Sequence, residues 1–171
     1  TIGDNTFGFT GLTTVTFPDN LESIGNYAFS GCQSLTSINI PDKVTTIGNS
    51  TFQNCISLVT ATLPENLESI GYNAFYNCPS LTSINIPDKV TTIGDGTFYN
   101  CQALATVVLP GNLGSIGNDA FLNCSSLRYL VYKGTTLPDI TLGSNAFYKC
   151  DILNTLFLPK NTSFTGESLT W

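Results

Sequence analysis

Apolar residues recur along this chain in short alternating runs. In LTSINIP, residues 81 to 87, Leu81, Ile84 and Ile86 point to one side while Thr82, Ser83 and Asn85 are free for the other, as in a half-buried strand. Pro87, which has no N–H to give to a ladder, stops the run. The next piece, VTTIG, is apolar only at Val90 and Ile93. It is expected to be a short extended segment on an opposite wall, turned at Gly94 where positive φ is tolerated. GTFYNC, residues 96 to 101, is too short for an independent helix. A helical or 3₁₀ turn is expected there, driving Phe98 and Cys101 inward.

This pattern repeats every 23 residues, and residues 67 to 89 nearly copy residues 21 to 43. Isoleucine recurs at Ile24, Ile47, Ile70, Ile93 and Ile116, each followed by glycine, and proline at Pro18, Pro41, Pro64, Pro87 and Pro110. Phenylalanine recurs from Phe7 through Phe29, Phe52, Phe75, Phe98 and Phe121 to Phe147, and cysteine from Cys32 through Cys55, Cys78, Cys101 and Cys124 to Cys150. Only the ends break step: the first unit is one residue short around GFTG, and the unit after Leu127 is three residues longer. One unit cannot bury its own apolar side, whereas stacked units share a core, so the pattern predicts a repeat solenoid. Six or seven rungs at about 4.8 Å each give a rod roughly 30 Å long. Its expected units are residues 1–20, 21–43, 44–66, 67–89, 90–112, 113–139 and 140–160, all within one domain, with 161–171 as a tail or cap.

The unit L-x-x-I-x-I-P-x-x-[LV]-x-x-I-G-x-x-[AT]-F-x-N-C-x-[SA]-L, running from Ile2 to about Pro159, resembles the BspA-like (Treponema-type) bacterial-surface class of leucine-rich repeat. The resemblance implies a right-handed leucine-rich-repeat superhelix with a parallel sheet on one wall and short strands and turns on the other. It also implies a secreted or cell-surface parent protein that works in adhesion or in binding host and matrix proteins. Departures fall after Leu127, where Lys133 replaces the proline and KGTTLPD carries the added residues. The chain has no methionine and opens within a unit, at TIGDNTF. It is therefore expected to belong to a longer protein with more repeats, or a cap, before it.

Composition narrows the partners. A net charge of −6 and a pI near 4.2 argue against nucleic acid and anionic membrane, and no apolar run reaches the ~20 residues of a membrane span. Residues 1–127 carry nine acids and two bases, residues 128–171 three acids and four bases, so an acidic partner meets less repulsion at the second end. With no histidine there is no Ser-His-Asp or Cys-His pair, so no enzyme and no cofactor is expected. The cysteines form no CxxC pair and, stacked in one slot, cannot converge on a metal ion. Their parallel projection also disfavours disulfides, which leaves buried free thiols packing as small hydrophobes. Asp19, Asp42, Glu65 and Asp88 form an acidic column, read as solvated turns with calcium as the lesser alternative. Sequons occur at Asn49, Asn123 and Asn161. The Asn123 slot, shared with Asn54, Asn77 and Asn100, is expected to bond neighbouring turn backbone.

The outward strand positions differ from end to end. One column reads Thr16, Asn39, Thr62, Asn85, Val108, Val131, Phe157, and the other Thr14, Ser37, Thr60, Ser83, Thr106, Tyr129, Thr155. Small polar residues thus give way to aliphatic and aromatic ones with Arg128 alongside, a mixture favoured at binding hot spots. The expected ligand-binding residues are Thr106, Val108, Arg128, Tyr129, Val131, Thr155 and Phe157, facing a protein or glycan partner. Alternatively SFTGESLTW, with Phe164 and Trp171, folds back as a cap over this patch. A second reading of the whole chain is a structural spacer. Ice binding by threonine is disfavoured because its columns alternate with asparagine and serine. Nothing in the pattern selects an oligomeric state.

Overall fold

The computed structural model describes residues 1–135 and 140–158. Asp139 and the rest of the inserted loop from Thr136, together with Asn161 and SFTGESLTW, lie outside the described residues. Six strands, β2 (Ser37–Asn39), β4 (Thr60–Thr62), β6 (Ser83–Asn85), β8 (Thr106–Leu109), β10 (Tyr129–Tyr132) and β12 (Thr155–Phe157), form a wide wall. Neighbouring strands are parallel and in sequence order. The opposite, narrow wall holds β1 (Ser23–Ile24), β3 (Thr46–Ile47), β5 (Ser69–Ile70), β7 (Thr92–Ile93), β9 (Ser115–Ile116) and β11 (Thr141–Leu142). Chain direction is conserved because every rung passes once along each wall, as expected of a leucine-rich-repeat solenoid.

Between the walls the apolar columns become ladders. Phe29, Phe52, Phe75, Phe98 and Phe121 are fully buried, and successive rings stack with centroids 5.6, 5.3, 5.5 and 5.2 Å apart. Phe7 and Phe147 extend the stack at its two ends. Each buried side chain of this size contributes about 1.5–3 kcal/mol by leaving water. Because all lie in one continuous cluster, no rung owns its core.

Of two local expectations, one holds in part and the other is corrected. The corner before each cysteine is a run of turns, with no helix among the described residues. Its N–H groups alternate: some close i→i+3 turns within their own rung, as Tyr76 does to Asn73 at 3.0 Å and Cys101 to Phe98 at 3.3 Å, while the others reach the next rung, as Phe52 does to Ala74 at 2.8 Å, Phe75 to Thr97 at 2.9 Å and Phe98 to Ala120 at 2.8 Å. Each corner also contains left-handed residues, such as Asn73 and Asn77, both at φ 55, which a right-handed helix cannot absorb. The glycine after each isoleucine, for its part, is not there for positive φ. The left-handed residue comes two positions later, at Ser50, Asn73 and Gly96. The glycine is required by close approach, since a Cβ on Gly48 would lie 2.6 Å from the Gly25 carbonyl carbon.

The narrow wall is not continuous. It divides into two three-stranded sheets, β1-β3-β5 and β7-β9-β11. Elsewhere the glycine N–H closes the ladder: Gly48 donates to Ile24 at 2.9 Å, Gly71 to Ile47 at 2.9 Å and Gly117 to Ile93 at 2.7 Å. Gly94 makes no matching bond to Ile70. Beside this ladder runs a second one, in which a short Asx side chain accepts the next rung's N–H. Asp4 accepts from Asn26 at 2.7 Å, Asn26 from Asn49 at 2.7 Å, Asn49 from Tyr72 at 2.9 Å and Asp95 from Asn118 at 2.7 Å. Tyr72 occupies the Asx slot and offers Asp95 no such acceptor, so both ladders stop at the same rung.

Candidate functional site

The outward columns of the wide wall are real neighbours. Ser37 pairs with Thr60, Thr60 with Ser83, Ser83 with Thr106, Thr106 with Tyr129 and Tyr129 with Thr155. In the parallel column Asn85 pairs with Val108, Val108 with Val131 and Val131 with Phe157. Strand register thus brings Thr106, Val108, Tyr129, Val131, Thr155 and Phe157 together on one surface. Thr14 and Thr16 precede the first strand of that sheet and lie outside it.

Alternation explains which side chains face out. In β10 Leu130 and Tyr132 are buried while Tyr129 and Val131 are half-buried, as a strand of period two requires. Tyr132 takes the core column and donates its hydroxyl to the Gly111 carbonyl at 2.7 Å, which satisfies a phenol that would otherwise be costly to bury. The Tyr129 and Phe157 rings meet at 5.8 Å with a 42° tilt, and Phe157 remains 50% exposed. Arg128, at the head of this strand, is exposed. The patch therefore pairs an aromatic couple, its rings in contact, with one exposed cation.

At the other end the same wall borders a mixed trough of about 830 Å³, where Thr16, Asn39, Thr62 and the acids Asp19, Asp42 and Glu65 line it together with apolar residues such as Phe17 and Leu63. The acidic column is interrupted by bases. Asp88 faces Lys133 at 3.7 Å, and Lys89 donates to Asn66 at 3.0 Å. Among the described residues no three metal-binding side chains converge.

The thiols are occupied in packing. All six are free and buried, and each donates to the phenylalanine carbonyl of the preceding rung, as Cys78 does to Phe52 at 3.1 Å and Cys101 to Phe75 at 3.2 Å. Burial pushes the Cys55 and Cys101 thiols up to about 12 and Cys78 well above the usual range. A thiol held neutral in this way is a poor nucleophile.

The asparagine slot corrects another expectation. Its side chains bond one another, not the turn backbone: Asn77 donates to Asn54 at 2.8 Å, Asn100 to Asn77 at 2.6 Å and Asn123 to Asn100 at 2.6 Å. Their backbones are left-handed, with φ between 55 and 61, where asparagine is among the best-tolerated residues after glycine. The sequon at Asn123 is thus built into an amide ladder. Asn49 stays exposed, although its oxygen accepts the Tyr72 N–H. Sequence reasoning missed Tyr72. The signal was present, since Asn26-Tyr27 becomes Tyr72-Asn73 in the otherwise similar copy.

Comparison with other proteins follows the same architecture. The family model described as BspA type Leucine rich repeat region matches residues 1–128 and 132–169 in six copies. A leucine-rich repeat protein from Bacteroides ovatus is 30% identical, with a TM-score of 0.72 over 88% of this chain and 44% of its own. The T. pallidum leucine rich repeat protein is 29% identical, with a TM-score of 0.60 over 77% of this chain and 71% of its own. A leucine rich cell surface protein from Faecalibacterium prausnitzii is 32% identical, with a TM-score of 0.62 over 85% of this chain and 45% of its own. The chain thus spans less than half the length of the Bacteroides and Faecalibacterium proteins. No curated protein matches it.

Proposed function

Because the chain belongs to the BspA-type leucine-rich repeat family, we propose that it is a non-catalytic binding module of a cell-surface protein, using the wide wall from Thr106 to Phe157 to hold a protein or glycan partner. The observation that carries this reading is the Tyr129–Phe157 couple, whose rings lie 5.8 Å apart on the outward face with Val108 and Val131 below and Arg128 beside them. A side chain fixed by strand register loses little freedom on binding, so its apolar area converts more fully into affinity. A surface location agrees with the Faecalibacterium neighbour, itself a leucine rich cell surface protein. The absence of histidine from the whole sequence and the hydrogen-bonded thiols of Cys55, Cys78 and Cys101, pushed up by burial, support a role without catalysis.

The test is capture of a partner by the intact chain with and without Tyr129→Ala and Phe157→Ala together. Binding should fall by about 2 kcal/mol or more, as for a hot-spot pair, while thermal unfolding stays nearly unchanged. Collapse of the fold would instead assign both rings to structural packing. A spacer role is the second reading. It is favoured by the Ser37, Thr60 and Ser83 column, which presents only small hydroxyls for half the wall.

A further inference from the structure

The break in the narrow wall leaves a cleft of about 350 Å³ between β5 and β7, lined by Asn49, Glu68, Ser69, Tyr72, Thr92 and Gly94 among others. This volume falls within the range of roughly 300–1,000 Å³ usual for small-ligand sites. We propose that the cleft binds a neutral saccharide, with one pyranose ring lying on the Tyr72 face. It is separate from the wide-wall patch and does not depend on it.

Three observations define the ligand. First, the cleft offers backbone groups that the rest of the wall has used up. The Gly94 N–H and the Ile70 carbonyl, whose equivalents are paired in neighbouring rungs, have no protein partner here. Gly94 is nonetheless buried, and a buried N–H without a partner is costly unless something serves it. Second, Tyr72 is 59% exposed and its ring reaches over this glycine, so that a Cβ there would lie 2.8 Å from Tyr72 Cδ1. An exposed aromatic face beside unpaired donors and acceptors suits a ligand that has a C–H face and a polar edge. Third, the side chains around it are hydroxyls, an amide and the single carboxylate of Glu68, with neither lysine nor arginine. That set disfavours an anion, and one carboxylate is too few to cage a cation.

A peptide strand is excluded by size. Inserting one would hold β5 and β7 two strand spacings apart, about 9.6 Å, yet their Cα atoms still approach within 8 Å. A sugar edge enters from outside the wall and needs no such separation. Its hydroxyls both donate and accept, and so can meet the Ile70 carbonyl and the Gly94 N–H at once.

The experiment is a titration of the isotope-labelled chain with the methyl glycosides of glucose, galactose and N-acetylglucosamine, followed by amide and tyrosine-ring NMR signals. At least one should give saturable shifts confined to Tyr72, Thr92, Gly94 and Asp95. Tyr72→Ala, which removes the ring but no acceptor, should weaken that binding about tenfold. Tyr72→Asn should return an acceptor to the Asp95 N–H, close the cleft, abolish the shifts and slow exchange of the Gly94 amide. Tyr129→Ala with Phe157→Ala should leave the shifts in place. The proposal is overturned if none of the three sugars gives saturable shifts, or if the shifts persist in Tyr72→Asn once Gly94 exchange has slowed.

Discussion

Residues 21–43 and 67–89 differ at only five of 23 positions, and two of those are a single exchange, Asn26-Tyr27 against Tyr72-Asn73. In the first copy Asn26 accepts the Asn49 N–H at 2.7 Å and β1 pairs with β3. The cost falls on Tyr27, a bulky residue held at φ 55. In the second copy Asn73 takes the same φ with less strain, but Tyr72 cannot serve the following rung, and β5 stands apart from β7. The two copies bury the same core and differ in how their walls are tied. Packing in this solenoid is redundant, because each inner ring from Phe29 to Phe121 stacks on two others, whereas each wall junction rests on a few bonds. One polar slot therefore decides continuity where eighteen identical positions do not.

The largest effect should come from what the copies share. Phe29→Ala and Phe75→Ala each remove a fully buried ring stacked between two neighbours, so each should cost about 3–5 kcal/mol in urea unfolding. Near-equal losses would show that the opening at β5 leaves the core untouched. A clearly smaller loss at Phe75 would break the comparison by placing the weakness in the packing itself. Exchanging the Asx slot should act less strongly. Tyr72→Asn should stabilise by about 1 kcal/mol through recovered hydrogen bonds and protect the Gly94 amide. Asn26→Tyr should cost a similar amount and expose Gly48, adding a second opening between β1 and β3. The smallest change is Tyr27→Asn, which relieves a left-handed bulky residue without touching the ladder. It should add about 0.5–1 kcal/mol, read as a rise in Tm.

What the sequence made legible was everything that recurs within one rung. Columns such as Ser83, Thr106 and Tyr129, or Phe75 and Phe98, follow from a period of 23, and the register of the wide wall confirms them. What it did not show was chemistry between rungs. The glycine at Gly48 looked like a turn residue because a single rung gives it no neighbour to collide with, and only stacking brings the Gly25 backbone against it. Asn77 looked like a turn capper for the same reason, since its partner Asn54 lies 23 residues away. The corner resembled a helical turn because its composition permits one, and single i→i+3 turns do form, but alternate N–H groups are spent on the next rung and no helix can propagate. Tyr72 sits at the extreme of this class, as a departure whose effect appears only on the residue after the next isoleucine and glycine. The proposed binding role of Tyr129 and Phe157 belongs to neither group, since strand register gives their placement and a partner must give their use.

The thiol column has a consequence for watching the molecule move. A cysteine whose Sγ is bonded to the preceding rung and shielded from solvent reacts with a reagent only when its own rung parts from its neighbour. Six such groups, one per rung from Cys32 to Cys150, are therefore position markers for local opening along the rod. A quasi-one-dimensional chain frays from its ends and at its weakest junction, and these markers report each place separately. Cys150 retains 8% exposure near the second end while Cys78 and Cys101, on either side of the divided wall, retain none. The order in which they label is a record of how the rod comes apart, written by the protein's own residues.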